Sequence, residues 1–319
     1  MLATILLFCA IAFDESPVLH RQIQLDRHGF SCNTIDGQWG TKTENALRAF
    51  LRSRNHPWAD SPWGALKEKI GDTAGAEFNA LFPSGENLFR IETVTQADID
   101  ALVAIPAAPA DKAKLPRMGY ESIKEMFAER GHMSPRALER LNPGVDWDNV
   151  RPGLKLIIPD FPSMEEELRA GDRSRRNAPK RPQAALVKVS LSRFEITVYD
   201  AKGKQIALFP CSIARDKSKL PPQGELKITS CISNPNYTYK PDFVPAGKKA
   251  AKHIFPEGPN CPVGVAWMGL SLPGYGIHGT PHPESIGNAE SHGCFRLSNW
   301  NAARLYAMVQ PGTKVIVEQ

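Results

Sequence analysis

The chain has 319 residues, 42% of them hydrophobic, and a formal charge of +5. That length suits two or three domains, and that apolar fraction excludes wholesale disorder. The mild positive balance suits loose attraction to an anionic polymer. With no groove-reading motif and no basic helix interleaved with aromatics, nucleic acid is excluded as a partner.

Residues 2–13 form an uncharged apolar run, Leu2 to Phe13, too short to span a bilayer as a helix. Its length suits the apolar core of a secretory signal, and Ala10-x-Ala12 offers a small-residue cleavage site, so export to the periplasm or cell envelope is expected. The basic segment that should precede such a core is missing, so a buried N-terminal element is the alternative. Phe8 before Cys9 is too bulky for a lipoprotein signal. Cys32, Cys211, Cys231 and Cys261 either pair, in one of three ways, or serve as small buried apolar residues.

Residues 17–85 read as a small helical domain. A helical pattern leads into Ile35-Asp36-Gly37-Gln38-Trp39-Gly40, whose glycine turns fix the angle between two helices. Thr41 to Glu44 then offers a hydroxyl cap with a carboxylate in the first turn, and Ala46, Leu47 and Phe50 supply an apolar face. This pattern resembles the three-helix peptidoglycan-binding domain. Residues 86–116, rich in Ala and Pro from Ile105 onward, read as a linker.

Residues 117–161 give helix, turn, helix and strand. Ile123, Met126 and Phe127 make one apolar face; Ser134-Pro135 is a cap followed by Pro at the first helical position. Ala137, Leu138 and Leu141 make the next face, ended by Asn142-Pro143-Gly144, and Arg151-Pro152-Gly153 turns into the strand Leu154 to Pro159. Leu141-Asn142-Pro143, Val150-x-Pro152-Gly153 and Leu156-Ile157-Ile158-Pro159 resemble a LysM module, a β-α-α-β fold that binds glycan. No first strand is legible before Tyr120, so glycan binding and a purely structural spacer both stand. Residues 162–183, charged and Pro-containing with a basic run at Arg173 to Arg181, read as a second linker ahead of an independent catalytic unit.

From residue 184 to 319 the period changes to that of strands: Leu186 to Leu191, Glu195 to Tyr199, Gln205 to Cys211, Glu225 to Ser230, Val263 to Leu270 and Lys314 to Glu318. One helix, Asn299 to Val309, has Ser298 or Asn299 as its cap. The expected fold class is multidomain α+β: a small helical N-terminal domain, a small α/β LysM-like module, and a mostly-β catalytic sandwich or barrel with one helix.

The chemistry concentrates in Gly274-Tyr275-Gly276-Ile277-His278-Gly279-Thr280 and in Ser291-His292-Gly293-Cys294-Phe295-Arg296. A thiol becomes a strong nucleophile when a neighbouring imidazole takes its proton. His292 lies two residues before Cys294 and would flank it in a strand; His278 comes from a separate segment and could reach it across a cleft. His278, His292 and Cys294 could alternatively ligate zinc, but no fourth ligand accompanies them. No metal and no cofactor is expected. Tyr275, Trp267 and Asn260 are candidate substrate contacts, with core or cleft wall the blander role for the two aromatics.

Leu272 to Thr280, the Ser-His-Gly-Cys-x-Arg box, Pro222-x-Gly224, Gly258-Pro259-Asn260 and Pro311-Gly312-Thr313 together resemble the L,D-transpeptidase (YkuD-type) catalytic domain over roughly Leu186 to Glu318. The resemblance implies Cys294 as nucleophile and His278 as proton acceptor and donor. It implies that the Gly279 carbonyl fixes the imidazole tautomer. The N–H groups of Gly293 and Cys294 become candidates for the oxyanion hole, and Arg296 for holding the loop or a substrate carboxylate; Ser291 and His292 complete the box. The implied partners are peptidoglycan stem peptides and glycan strands. Transfer to a stem amine, to water (an L,D-carboxypeptidase) or to an envelope protein are the implied outcomes. A non-catalytic peptidoglycan-binding scaffold is the rival of another class, and the intact Cys/His pair argues against it.

Overall fold

The computed structural model of the protein describes residues 16–70, 80–82, 87–176, 183–239, 252–291 and 293–319. The signal-like segment 1–13 lies outside them. No described helix is long and apolar enough to cross a membrane.

Helix α1 (Pro17–Arg27) starts on Ser16, whose hydroxyl accepts the Leu19 N–H, with proline at the first position. Helix α2 (Thr41–Ser53) buries Ala46, Leu47 and Phe50 as their spacing predicts. Its cap is Gly40, not a threonine hydroxyl. Glu44 is drawn instead to Arg48 at 2.6 Å and to the Gly64 N–H at 2.8 Å, and so ties the helix to the turn ahead of α3 (Ala65–Ile70).

The stretch 86–116 is not a linker. It carries strand β1 (Phe89–Thr93) and short helices α4 (Gln96–Asp100) and α5 (Pro109–Lys112). After α6 (Ile123–Arg130) and α7 (Pro135–Leu141), strand β2 (Lys155–Pro159) returns antiparallel to β1, Phe89 opposite Pro159 and Thr93 opposite Lys155. The partner strand of β2 therefore lies upstream of Tyr120, in a segment where charge alternates with apolar groups. Arg90 and Glu92 on it bond each other, and Arg130 reaches both Glu92 and Asp98 at 2.6 Å. Leu19, Phe50, Phe127, Leu156 and Phe161 share one apolar cluster, so the two N-terminal modules have a single core.

The second linker is also corrected. Helix α8 (Met164–Arg176) occupies it and packs along α9 (Asn299–Met308). Gly171 makes the close approach possible, since a Cβ there would sit 2.8 Å from the Tyr306 ring. Arg175 lies over that ring at 3.9 Å, and the Tyr306 hydroxyl donates to Asp172 at 2.6 Å. The composition of 162–183, mostly charge, hid an amphipathic helix whose one buried apolar residue is Leu168.

The remaining strands are β3 (Leu186–Ser190), β4 (Glu195–Tyr199), β5 (Gln205–Pro210), β6 (Ile213–Ala214), β7 (Gly224–Ser233), β8 (Tyr237–Tyr239), β9 (His253–Phe255), β10 (Ala266–Leu270), β11 (Gly276–His278), β12 (Ala289–Ser291), β13 (Phe295–Arg296) and β14 (Lys314–Glu318). Eight of them form one mixed sheet in the order β13-β11-β10-β7-β14-β3-β4-β5. Its far ends approach each other. Ser212, just beyond β5, exchanges two backbone hydrogen bonds of 2.9 Å with Arg296 of β13. The C-terminal half is thus a curled, mostly-β sheet with α9 against it, intermediate between the open sandwich and the closed barrel expected.

The N-terminal half is welded to this sheet. Gly29 and Ser31 exchange backbone hydrogen bonds with Leu208 and so cover the edge strand β5. Gly29 has φ +88, and a Cβ there would press on the Ile206 carbonyl. Asp26 of α1, entirely buried, meets Arg304 of α9 at 2.9 Å and His132 at 3.0 Å. The His132 ring lies between those of Phe161 and Trp300, both nearly parallel to it. The five cysteines among the described residues form no disulfide with one another, and Cys32, Cys211 and Cys261 are buried.

Candidate active site

Strands β7, β10, β11 and β13 lie side by side, and their register aligns four residues across them: Ile232, Trp267, His278 and Arg296. Directly opposed residues share a face of a sheet, so these side chains form one row. Ile277 and Phe295, one position along, point into the core and are fully buried. The sequence buries β11 this way because Gly269 and Gly276, also opposed, leave room for an indole. A Cβ on Gly276 would sit 2.6 Å from the Trp267 ring. Trp267 stacks on His278 with the rings 17° from parallel.

His278 is 5% exposed, and burial pulls its pKa down to about 4. The imidazole is therefore neutral at neutral pH. Its Nδ1 lies 2.6 Å from the Gly279 carbonyl oxygen. A carbonyl only accepts, so Nδ1 carries the hydrogen and Nε2 presents the lone pair. The backbone at Gly279 thus selects the Nδ1–H tautomer.

Cys294 precedes β13 and is half-buried. Its thiol donates to the Gly274 carbonyl at 3.6 Å and accepts from the Gly276 N–H. Burial raises its pKa; the Gly276 bond and the Arg296 charge lower it less. The resting thiol is protonated and requires a base. Arg296 sits beside His278 across the β11–β13 pair, and the Leu297 N–H donates to the His278 carbonyl at 2.8 Å, fixing the two segments together. Gly293 has φ +152, and its Cα faces both Lys219 and Tyr275. The Tyr275 hydroxyl donates to the Lys219 carbonyl at 3.1 Å, which makes Tyr275 a wall of the cysteine loop.

Two expected site residues stand differently. His292 lies outside the described residues, as does the side chain of Ser291. Asn260 lies at the interface of the two halves. Its amide donates to the Gly119 carbonyl at 2.9 Å and to Glu125 at 2.8 Å, both in the N-terminal half. Sequence reasoning missed Gly274 and Gly276 because backbone donors and acceptors leave no signature. It also missed Asn299, read only as a helix cap. Ser298 is the cap, and Asn299 is fully buried beside Gly279. No group of three His, Cys, Asp or Glu among the described residues is placed to hold a metal.

A thiol bonded to the segment that leads into His278, and a buried imidazole of fixed tautomer on that segment, are the groups that cysteine acyl transfer needs. Residues 184–317 match the family model described as the L,D-transpeptidase catalytic domain, YkuD, and this part of the chain is a cysteine-dependent L,D-transpeptidase domain. The chain is similar to the Bacillus licheniformis protein named for L,D-transpeptidase YkuD, 29% identical over 60% of this chain and 92% of that protein. It is similar to YqjB of Bacillus subtilis, also named for an L,D-transpeptidase, 33% identical over 33% of this chain and 57% of that protein. Among solved structures it is similar to an L,D-transpeptidase from Mycobacterium smegmatis at 22% identity, with a TM-score of 0.34 over 43% of this chain and 59% of that one. The chain thus spans most of the first relative and less than two thirds of the other two.

Proposed function

We propose that the protein crosslinks or remodels peptidoglycan stem peptides through a thioester on Cys294. The observation that carries this reading is the Nδ1 contact of His278 with Gly279, which leaves a neutral Nε2 as base in a buried site. Cys294 Sγ attacks the carbonyl of the L,D peptide bond after the third stem residue while its proton passes to Nε2. The N–H groups of Gly293 and Cys294 stabilise the oxyanion. The imidazolium then protonates the leaving amine, the C–N bond breaks, and the terminal D-amino acid departs. An acceptor amine from a second stem attacks the thioester, His278 takes its proton, and the thiol is restored.

Water as acceptor would make the enzyme an L,D-carboxypeptidase; an amine of an envelope protein would make it an anchoring enzyme. Export to the periplasm or envelope and glycan binding by the N-terminal modules belong to the same reading. They are supported by the apolar run 2–13 and by the peptidoglycan-binding-like and LysM-like patterns. Tyr275 and Trp267 flank the thiol loop and the base and would line the donor peptide. Mass spectrometry of purified muropeptides incubated with the protein tests the proposal. Dimers or shortened stems are expected, and unchanged muropeptides across stem compositions would overturn it.

A further inference from the structure

We propose that Glu129 of α6 is a positioning residue for His278, acting through Asn299. This rests on the reading of His278 as the base.

The chain of contacts runs through the interior. Glu129 is 5% exposed, and its two carboxylate oxygens accept from the Asn299 amide at 3.1 and 3.3 Å. The same amide nitrogen donates to the Pro259 carbonyl at 3.0 Å. With its nitrogen committed to that side, the Asn299 oxygen must point the other way. There it accepts the Val265 N–H at 3.3 Å and rests on the backbone of Gly264 and Gly279, where no side chain could be added without meeting it. The Gly279 carbonyl is the group that fixes the His278 tautomer. An amide has two orientations that differ by exchanging a donor and an acceptor. If Asn299 turned over, its NH₂ would face the Val265 N–H, donor against donor. Relief of that clash would shift the Gly279 peptide and with it the direction of the carbonyl. Glu129, together with the Pro259 carbonyl, therefore sets which way Asn299 faces.

Glu129 is itself supported. The Tyr120 hydroxyl donates to it at 2.9 Å, and the charged groups facing it are Glu125 and Glu284, both acidic. Burial in that company raises its pKa to about 8. Such a carboxyl is costly at a mere packing interface, where an apolar side chain of the same size would serve. The segment that holds Glu129 is the LysM-like module, so the module contributes to catalysis besides any contact with the wall.

The test reads the Cys294–His278 pair without needing the natural substrate. In the full chain, the rate of Cys294 alkylation by iodoacetamide is followed from pH 5 to pH 10 by peptide mass mapping. Variants are Glu129→Leu, Glu129→Gln, Asn299→Ala and His278→Ala, with Tm measured for each. Glutamine keeps one acceptor for Asn299 and should stay within about threefold of the wild type at pH 7. Glu129→Leu and Asn299→Ala should each lose about tenfold at pH 7, less than the 10²–10⁴ span of losing a base outright. Their ¹⁵N spectra should also show His278 no longer confined to the Nδ1–H tautomer. If Glu129→Leu does not fold, Asn299→Ala and the glutamine variant decide. A lowered Tm with the wild-type alkylation profile and a single tautomer would reduce Glu129 to interface packing and overturn the proposal. An unchanged profile in His278→Ala would instead remove the reading of His278 as the base.

Discussion

Asp26 and Arg304 stand 278 residues apart in sequence and touch at 2.9 Å in the interior. Burial alone would push the Asp26 carboxyl up, but Arg304 and His132 hold it well below the usual carboxylate range. The charge pair closes the seam between α1 and α9. Removing one partner leaves the other buried and uncompensated, which costs on the order of 3–5 kcal/mol. Arg304→Ala should lose about that much in urea denaturation. The double variant Asp26→Asn/Arg304→Met should recover part of it. A loss under about 1 kcal/mol in the single variant would show the seam to be held by apolar contact alone.

Cys294→Ala should remove crosslinking and peptide-trimming activity together while leaving the far-ultraviolet dichroism intact. Carbapenem-type β-lactams should add once, at Cys294. Burial raises the thiols of Cys32, Cys211 and Cys261 and hides them, so they should stay unmodified. Intact mass before and after Cys294→Ser reads both outcomes. An adduct on any of the three buried thiols would count against the assignment.

His278→Ala should slow acylation by about 10²–10⁴, the usual contribution of a general base. His292→Ala should lose less. Stopped-flow acylation of the two variants at several pH values checks this, and a reversal of the two effects would exchange the roles.

The same burial makes His278 a source of acid sensitivity. Its folded pKa of about 4 lies below the ordinary 6.5, so the unfolded chain binds the extra proton between those values. The contribution to stability is therefore full above about pH 6.5 and is lost as pH falls toward 4, at most about 3 kcal/mol. His132, lowered by burial, acts in the same direction. Glu129, raised to about 8, acts oppositely and costs stability as pH rises through its range. Between pH 7 and pH 4 the drop in Tm should be smaller in His278→Gln than in the wild type, without vanishing. An equal drop would mean that His278 is not held neutral by the fold.

The fragment 183–319 should fold poorly. Composition marks it as an autonomous unit, yet α8 covers Tyr306 and Trp300 stacks on His132. A fragment starting at Ser163 keeps α8 and should express better, but still lacks the Phe30 segment on β5 and Glu129 beside Asn299. Soluble yield and Tm of the two fragments give the comparison. Equal Tm in the short fragment and the full chain would restore the autonomous reading.

Much of this was legible from the sequence where the signal is chemical or periodic. Cys294, His278 and Gly279 sit in a run whose glycines and histidines have few other uses. The faces of α2, α6 and α7 follow directly from apolar spacing. What was hidden has a common cause. Strand β1 and helix α8 are stabilised by ion pairs and by partners distant in sequence, Arg130 for Glu92 and Tyr306 for Asp172, so their local patterns read as polar connection. The interface bonds of Asn260 were hidden because an exposed-looking amide in a matching motif says nothing about which module meets it. Asn299 escaped because a buried amide and a helix cap look alike in one dimension.

The placement of α9 also constrains the order of assembly. Asp26, Glu129 and His132, all far upstream of this helix, find partners on it. A ribosome adding about 5–20 residues per second finishes α1 many seconds before α9 exists. Through that interval Asp26 keeps His132 and Glu129 keeps the Tyr120 hydroxyl, but Asp26 lacks the Arg304 guanidinium and Glu129 lacks the Asn299 amide, so closing that core early would bury both carboxyls without their partners on α9. The early half should therefore stay loose until α9 has been made, and the seam between the halves should form in one late, concerted step.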